Sequence, residues 1–299
     1  MKEPVHRKWQ GRTDGTPTMQ RALVLLFKVV PLEVIYVLMA FVVPFYMVVN
    51  RKGFLAIYRF FRQRLGKNAF ASVFHVYGNH FAFGQVVLDR FAAYAGRRFK
   101  VTAVGNEHFL DLASQPGGFM MLSSHVGCFE MAGYTLLSET KQLYALVYGG
   151  ESEVVAQGRQ HRFQDHRVVT VPVSQDLSHL FLLNKALDEG QVVTMPADRI
   201  YGSSKCLECH FFGAQAKFPM GPFATAVQKQ VPVLAVTVTK EGRRHYVAHV
   251  VLLETDSGAA PRQQMQALAQ AYASALEEEV RKHPHQWYNF YQFWNDADD

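Results

Sequence analysis

The sequence predicts an α/β fold: a mostly parallel central sheet flanked by helices, carrying an N-terminal helical membrane anchor. One observation predicts the sheet and two predict the anchor. Beyond residue 98, short β-branched and apolar runs alternate with stretches of helical period, the pattern of a parallel sheet with helices on both faces. Before residue 98, the chain is apolar and then basic, with no acid between Val34 and Leu88. Charge divides in the same place. Residues 1–100 hold sixteen Lys and Arg against four acids, net +12, and the remaining 199 residues hold 15 against 21, net −6. The expected division is therefore 1–98, a membrane-associating helical region, and 99–299, the α/β domain. The 49% hydrophobic content excludes collagen-like and largely disordered classes. Three cysteines are too few for a disulfide framework.

Residues 1–18 are polar and read as a loosely held leading segment. Ala22–Val30 and Val34–Val49 are two apolar runs separated by Pro31 and Glu33. Neither reaches the roughly 20 residues of a straightforward span, so a bent helical hairpin dipping into one leaflet is expected, with a buried helix pair as the alternative. No small-residue cleavage site follows, and Arg51-Lys52 stand there instead, unlike a secretory signal. Arg51, Lys52, Arg59, Arg62, Arg64 and Lys67 interleave with Phe54, Leu55, Ile57, Tyr58, Phe60, Phe61 and Leu65 at helical spacing. That pattern describes a basic amphipathic helix lying in a membrane interface. Basic residues beside an apolar run place that side in the cytoplasm. A basic region of this kind suits an anionic surface, whether DNA, RNA, anionic lipid or an acidic carrier protein, and the apolar run tips the reading to a membrane.

Residues 68–98 read as helix. Val101–Val104, Gly118–Leu122, Gln142–Tyr148, Val168–Pro172, Val192–Met195, Val231–Thr239 and Tyr246–Leu253 read as strands. Phe129–Leu137, Leu177–Asp188, Pro222–Lys229 and Arg262–His283 read as helices, the last ended by Pro284. The strand Gly118–Leu122 runs into Ser123-Ser124-His125, then Gly127, then Glu130. Doubly wound sheets form their sites at the carboxyl ends of strands. A carboxylate folded back from the first turn of the following helix would fix the imidazole tautomer and strengthen the other nitrogen as a base. The alternative is a loop histidine beside a glutamate at a helix N-terminus, where a carboxylate is favourable anyway. No Gly-x-Ser-x-Gly elbow surrounds Ser123 or Ser124, which argues against a serine hydrolase.

His125-Val-Gly-Cys-Phe-Glu130 resembles the His-(four residues)-acid motif of glycerolipid acyltransferases. Its surroundings resemble the late acyltransferases of lipid A biosynthesis, the lauroyl and myristoyl transferases. Met195-Pro-Ala-Asp198-Arg199, Phe211-Phe-Gly213 through Pro219, and His283-Pro-His-Gln-Trp287 through Trp294 are similar to three further blocks of that family, in the same order. The resemblance implies a glycerolipid acyltransferase-like fold and fatty acyl transfer from an acyl thioester, on acyl carrier protein or coenzyme A, to a lipid hydroxyl. It implies His125 as general base and Glu130 as its orienting acid. It implies substrate contacts from Ser124, Gly127, Arg159, Arg167, Asp198, Arg199, Phe212, Gly213 and Pro219, with the three arginines as candidate oxyanion donors. No metal or organic cofactor is required. The partners are the thioester, a lipid acceptor and the inner (cytoplasmic) membrane, with the catalytic domain on its cytoplasmic side and no nucleic acid. The chain departs from the family at Arg199, where a Gln or similar polar residue is common, and over Gly202–His210. A lysophospholipid, an aminolipid or a polyene pigment lipid are thus alternative acceptors. A non-catalytic membrane adaptor is the alternative from another class.

Cys206-Leu-Glu-Cys209-His210 matches the attachment pattern of c-type haem, but haem attachment needs an exported chain and a zinc site would need a fourth ligand. The stretch leads straight into Phe211-Phe212-Gly213, so the expected reading is a strand of the main sheet that happens to carry two cysteines. His161, His166 and Arg159–Arg167 form a basic loop suited to phosphates or simply to solvent.

Overall fold

A computed structural model describes residues 17–147, 157–158, 167–174, 176–200, 205–254 and 258–294. The helices are α1 Pro17–Val29, α2 Leu32–Val49, α3 Arg51–Arg59, α4 Ala69–Tyr94, α5 Asn106–Ser114, α6 Ser178–Asp188, α7 Met220–Lys229 and α8 Pro261–Lys282. The strands are β1 Lys100–Val104, β2 Phe119–Gly127, β3 Leu143–Val147, β4 Val168–Pro172, β5 Val192–Pro196, β6 Cys206–Phe211, β7 Ala214–Pro219, β8 Val233–Gly242 and β9 His245–Leu253. Seven strands form one sheet in the order β1-β9-β8-β2-β5-β3-β4, parallel throughout except for the β8–β9 hairpin. The mostly parallel sheet flanked by helices is the expected architecture.

β2 lies at the middle of this sheet, between β8 and β5. Its run Phe119-Met-Met-Leu122 is buried throughout, as a parallel strand covered on both faces must be. One face packs on α6, α7 and α8, with Leu183, Phe223, Leu268 and Tyr272 in a single core. The other packs on α5 and on the β9 side chains Tyr246, Ala248 and Val250. β6 and β7 stand apart as a two-stranded antiparallel hairpin. The expectation that Phe211-Phe212-Gly213 belongs to the main sheet is therefore corrected. Phe212 (φ 51°) and Gly213 (φ 75°) both take left-handed backbone, the combination a two-residue type I′ turn requires.

The expected bent hairpin is a pair of helices. α1 ends where Pro31, without an N–H, interrupts the backbone ladder, and α2 begins at Leu32. α2 is 18 residues long, or about 27 Å, and among the described residues it is the one helix long and apolar enough to cross a membrane. Its Leu32, Ile35 and Tyr36 pack with Phe27, Phe91 and Ala92. Val37, Leu38, Phe41, Phe45 and Val48 are exposed. The side chains of Tyr36, Lys240 and Tyr246 all hydrogen-bond the buried carboxylate of Asp89. That cluster ties α2 to α4 and to the β8–β9 hairpin, and its mutual bonding is what makes a buried carboxylate affordable.

Candidate active site

The geometry of His125 begins with a glycine. Gly127 has φ 59°, and a Cβ there would lie 1.9 Å from the carbonyl oxygen of Val238. Only glycine lets β2 approach β8 this closely, with the Cys128 N–H donating to that carbonyl at 2.8 Å. Between Ser123 and Gly127 the register against β8 slips. Irregularities of this kind re-aim side chains, and this one carries His125.

The imidazole meets Asp198. Asp198 follows β5, which pairs with β2 in parallel so that Ser123 faces Pro196. The Ala197 N–H donates to the Ser123 carbonyl at 3.0 Å. The carboxylate then accepts twice from His125: from its backbone N–H at Oδ2, 2.8 Å, and from ring Nδ1 at Oδ1, 2.7 Å. The Asp198 side chain is 1% exposed and that of His125 is 23% exposed. Burial pushes the Asp198 carboxyl up, but His125, its hydrogen bonds and the Arg199 guanidinium more than offset this and hold it below the usual range. Burial and the nearby Arg199 charge push the His125 imidazolium below its ordinary value, against the opposing pull of Asp198. The ring is therefore neutral near pH 7, with Nδ1–H held by a carboxylate. Among the described residues none hydrogen-bonds its Nε2. A histidine so arranged can take a proton through Nε2.

Glu130 is not where the sequence places it. The expected helix Phe129–Leu137 is only a 3-10 turn, Phe129–Tyr134, and the carboxylate turns away to α4. It accepts from Tyr94 Oη at 2.8 Å and from Arg90 at 3.3 Å, and its side chain is 8% exposed. Cys128 lies buried near Glu130; burial and the Glu130 charge push its thiol up to about 12, so it is no thiolate nucleophile.

A strap from the C-terminus closes over the same place. Val126 pairs with Trp287 across an isolated bridge, and the Tyr288 N–H donates to the His125 carbonyl at 3.1 Å. Arg199 donates to the Tyr288 carbonyl, which spends part of its guanidinium on the strap. From below, Tyr272 Oη donates to the Ser123 carbonyl at 2.8 Å. Ser124 is buried, its Oγ accepting from the Val126 N–H at 3.4 Å. Arg167 does not join this group. It precedes β4, the last strand of the sheet, and so lies at the amino end of the parallel strands, opposite His125. Its expected place beside the substrate is corrected accordingly. Arg159, His161 and His166 lie outside the described residues, as does part of Gly202–His210. Phe212 and Gly213 make the β6–β7 turn. The Phe212 ring stands edge-on to Phe60 at 5.3 Å, and its N–H donates to Glu277 at 2.5 Å. Pro219 ends β7 and caps α7. The Phe212 ring also stands edge-on to Trp294, and its neighbour Phe211 packs on Trp287 and Trp294. In β6, exposure alternates along Cys206-Leu-Glu-Cys209-His210, so Cys206 and Cys209 face opposite sides of the hairpin, away from a shared ligand.

A family described as bacterial lipid A biosynthesis acyltransferase matches residues 90–296. The chain belongs to that family. No curated protein matches it. Among solved structures, the 1-acyl-sn-glycerophosphate (LPA) acyltransferase PlsC from Thermotoga maritima is similar, at 12% identity and a TM-score of 0.39, over 88% of this chain and 97% of that one.

The matched span of this acyltransferase opens at Arg90 and takes in His125, Glu130, Asp198 and the strap to Trp294. Arg90, Tyr94, Tyr272 and Tyr288 are site residues the sequence reading missed. For Arg90 and Tyr94 a signal existed: polar groups at i and i+4 on one face of an otherwise aromatic helix. For Tyr288 there was none beyond the aromatic run around it.

Proposed function

We propose that the chain transfers a fatty acyl group from an acyl thioester, on acyl carrier protein or coenzyme A, to a hydroxyl of a lipid A-like acceptor at the inner face of the cytoplasmic membrane. The observation that carries the reading is the His125–Asp198 pair at the carboxyl end of the central strand. The acceptor oxygen attacks the thioester carbonyl carbon as Nε2 of His125 takes its proton. A C–O bond forms, the C–S bond breaks as the tetrahedral intermediate collapses, and the proton passes to the leaving thiolate. Asp198 keeps Nδ1 protonated and stabilises the transient imidazolium. Glu130, held by Arg90 and Tyr94, fixes the turn after His125 to α4.

Membrane attachment is supported by α2 with its exposed Phe41 and Phe45 and by the basic stretch that follows. An apolar groove of about 700 Å3 between α2, α3 and α4, lined by Met47, Phe54, Leu55 and Phe74 with Arg51 among them, suits contact with lipid. Residues 1–98 thus act mainly as the membrane-associating region and 99–299 as the catalytic domain, although Arg90 and Tyr94 reach across that boundary.

Purified protein is to be assayed with acyl carrier protein and coenzyme A thioesters against a lipid A precursor and a lysophospholipid, with products read by mass spectrometry. His125→Ala is expected to lose about 10²–10⁴-fold in turnover while keeping its fold. Wild-type turnover in that variant would overturn the mechanism, and acylation of the lysophospholipid alone would overturn the acceptor.

A further inference from the structure

Away from His125, at the far end of α8, three side chains converge from separate elements. Glu241 sits on β8 at the hairpin bulge, where the register passes from Lys240–Tyr246 to Gly242–His245 and leaves Glu241 without a partner residue. His249 comes from β9, and His283 caps α8. One ligand atom from each lies within 4.8 Å of the other two. His283 Nε2 is 3.4 Å from Glu241 Oε1, close to the spacing of about 3.3 Å between neighbouring ligands of a tetrahedral zinc ion bound at roughly 2.0–2.1 Å. Thr239 Oγ1 stands between the groups, 2.7 Å from Glu241 Oε1 and 3.0 Å from His249 Nε2. Nε2 is thus the nitrogen that His249 turns toward Glu241.

A second observation comes from behind His249. Glu279 is only 6% exposed, and its Oε2 is buried with no hydrogen-bond partner. That atom lies 3.6 Å from His249 Nδ1. A buried acceptor without a donor is costly. It becomes favourable when the imidazole binds a cation through Nε2 and points Nδ1–H at the carboxylate, the outer-shell arrangement typical of metal-bound histidine. Lys282 holds the other oxygen, Oε1, at 2.9 Å and is itself half exposed. Two carboxylates, one ammonium and two imidazoles leave net negative charge for a cation to neutralise.

We propose that Glu241, His249 and His283 bind a divalent transition-metal ion of the zinc class, with Glu279 orienting His249. Two imidazoles and one carboxylate select such an ion over magnesium or calcium, which take oxygen ligands. The site fastens the end of α8 to the β8–β9 hairpin. There Gln286 already clasps both the N–H and the carbonyl of Lys240, at 2.7 and 2.9 Å. The next residue, Trp287, begins the strap over His125. Metal at this point anchors the strap; it takes no part in acyl transfer.

The test uses the full chain in detergent, with Cys206→Ser and Cys209→Ser to remove thiol binding. The protein is stripped with chelator and titrated with zinc chloride or magnesium chloride, reading bound metal per chain and the thermal midpoint. One zinc per chain is expected, with a raised midpoint and no comparable response to magnesium. His249→Ala and His283→Ala should abolish that equivalent. Glu279→Gln should weaken it by about 10–100-fold. Glu241→Gln, at an exposed position that spares the core, should weaken it even if a histidine variant fails to fold. No bound zinc, zinc binding unchanged in these variants, or equal binding of magnesium would overturn the proposal.

Discussion

Asp198→Asn is the substitution that separates the two acids around His125. Asn has nearly the same shape, and the site is closed, so the amide cannot escape to solvent. It has one acceptor oxygen where the carboxylate has two, and His125 presents two donors, its backbone N–H at 2.8 Å and Nδ1 at 2.7 Å. If the amide oxygen keeps the backbone N–H, its NH2 faces Nδ1. The ring must then carry its proton on Nε2 and can no longer act as the base. General-base help is worth about 10²–10⁴-fold, or roughly 3–5 kcal/mol of barrier, and most of it is expected to be lost. Removing the carboxylate also removes the one group that pulls the His125 imidazolium up, so the acid limb of the residual pH profile should move to lower pH. Turnover is to be measured from pH 5 to 8 on protein whose thermal midpoint is checked in parallel. Glu130→Gln is the companion. It disturbs Arg90 and Tyr94 and should lower stability by about 1–3 kcal/mol with a smaller loss of turnover. A fully active Asp198→Asn beside an inactive, well-folded Glu130→Gln would refute the pairing and restore Glu130 as the acid that orients His125.

Other expectations follow from the same contacts. Gly127→Ala forces a Cβ to within 1.9 Å of the Val238 carbonyl and keeps a left-handed backbone that costs about 1–2 kcal/mol for an L residue. A denaturant midpoint should fall clearly, and an unchanged midpoint would refute the close approach. Trp287→Ala removes a ring that is 1% exposed and should cost about 3–5 kcal/mol in chemical denaturation. Burial pushes His80, His125, His249 and His285 below their ordinary value. The unfolded chain therefore takes up protons first, and stability should decline as pH falls below about 6.5; a thermal midpoint constant from pH 7 to 5 would contradict this. Phe41→Glu with Phe45→Glu changes two exposed α2 side chains, 78% and 71% accessible. It should reduce co-sedimentation with lipid vesicles while leaving the fold intact.

Much of this protein was legible in local pattern. The run Phe119–Leu122 ending in Ser-Ser-His announces a buried strand with a histidine at its carboxyl end, because strand burial and strand termination are both written in neighbouring residues. The long helix ended by Pro284 and the break at Pro31 were legible for the same reason. Less was legible where partners are distant in sequence. Spacing favoured Glu130 for His125 because five residues is a short reach through a helical turn. The chain after Gly127 instead makes a 3-10 turn, and Arg90 and Tyr94, 40 and 36 residues upstream, take that carboxylate. Asp198 is 73 residues away, and only the parallel pairing of β2 with β5 sets it beside the imidazole. The sequence by itself determined an α/β sheet with His125 at the end of a strand. The tertiary structure decided which acid the histidine meets, because strand order and register, not distance along the chain, choose the groups that share a buried corner.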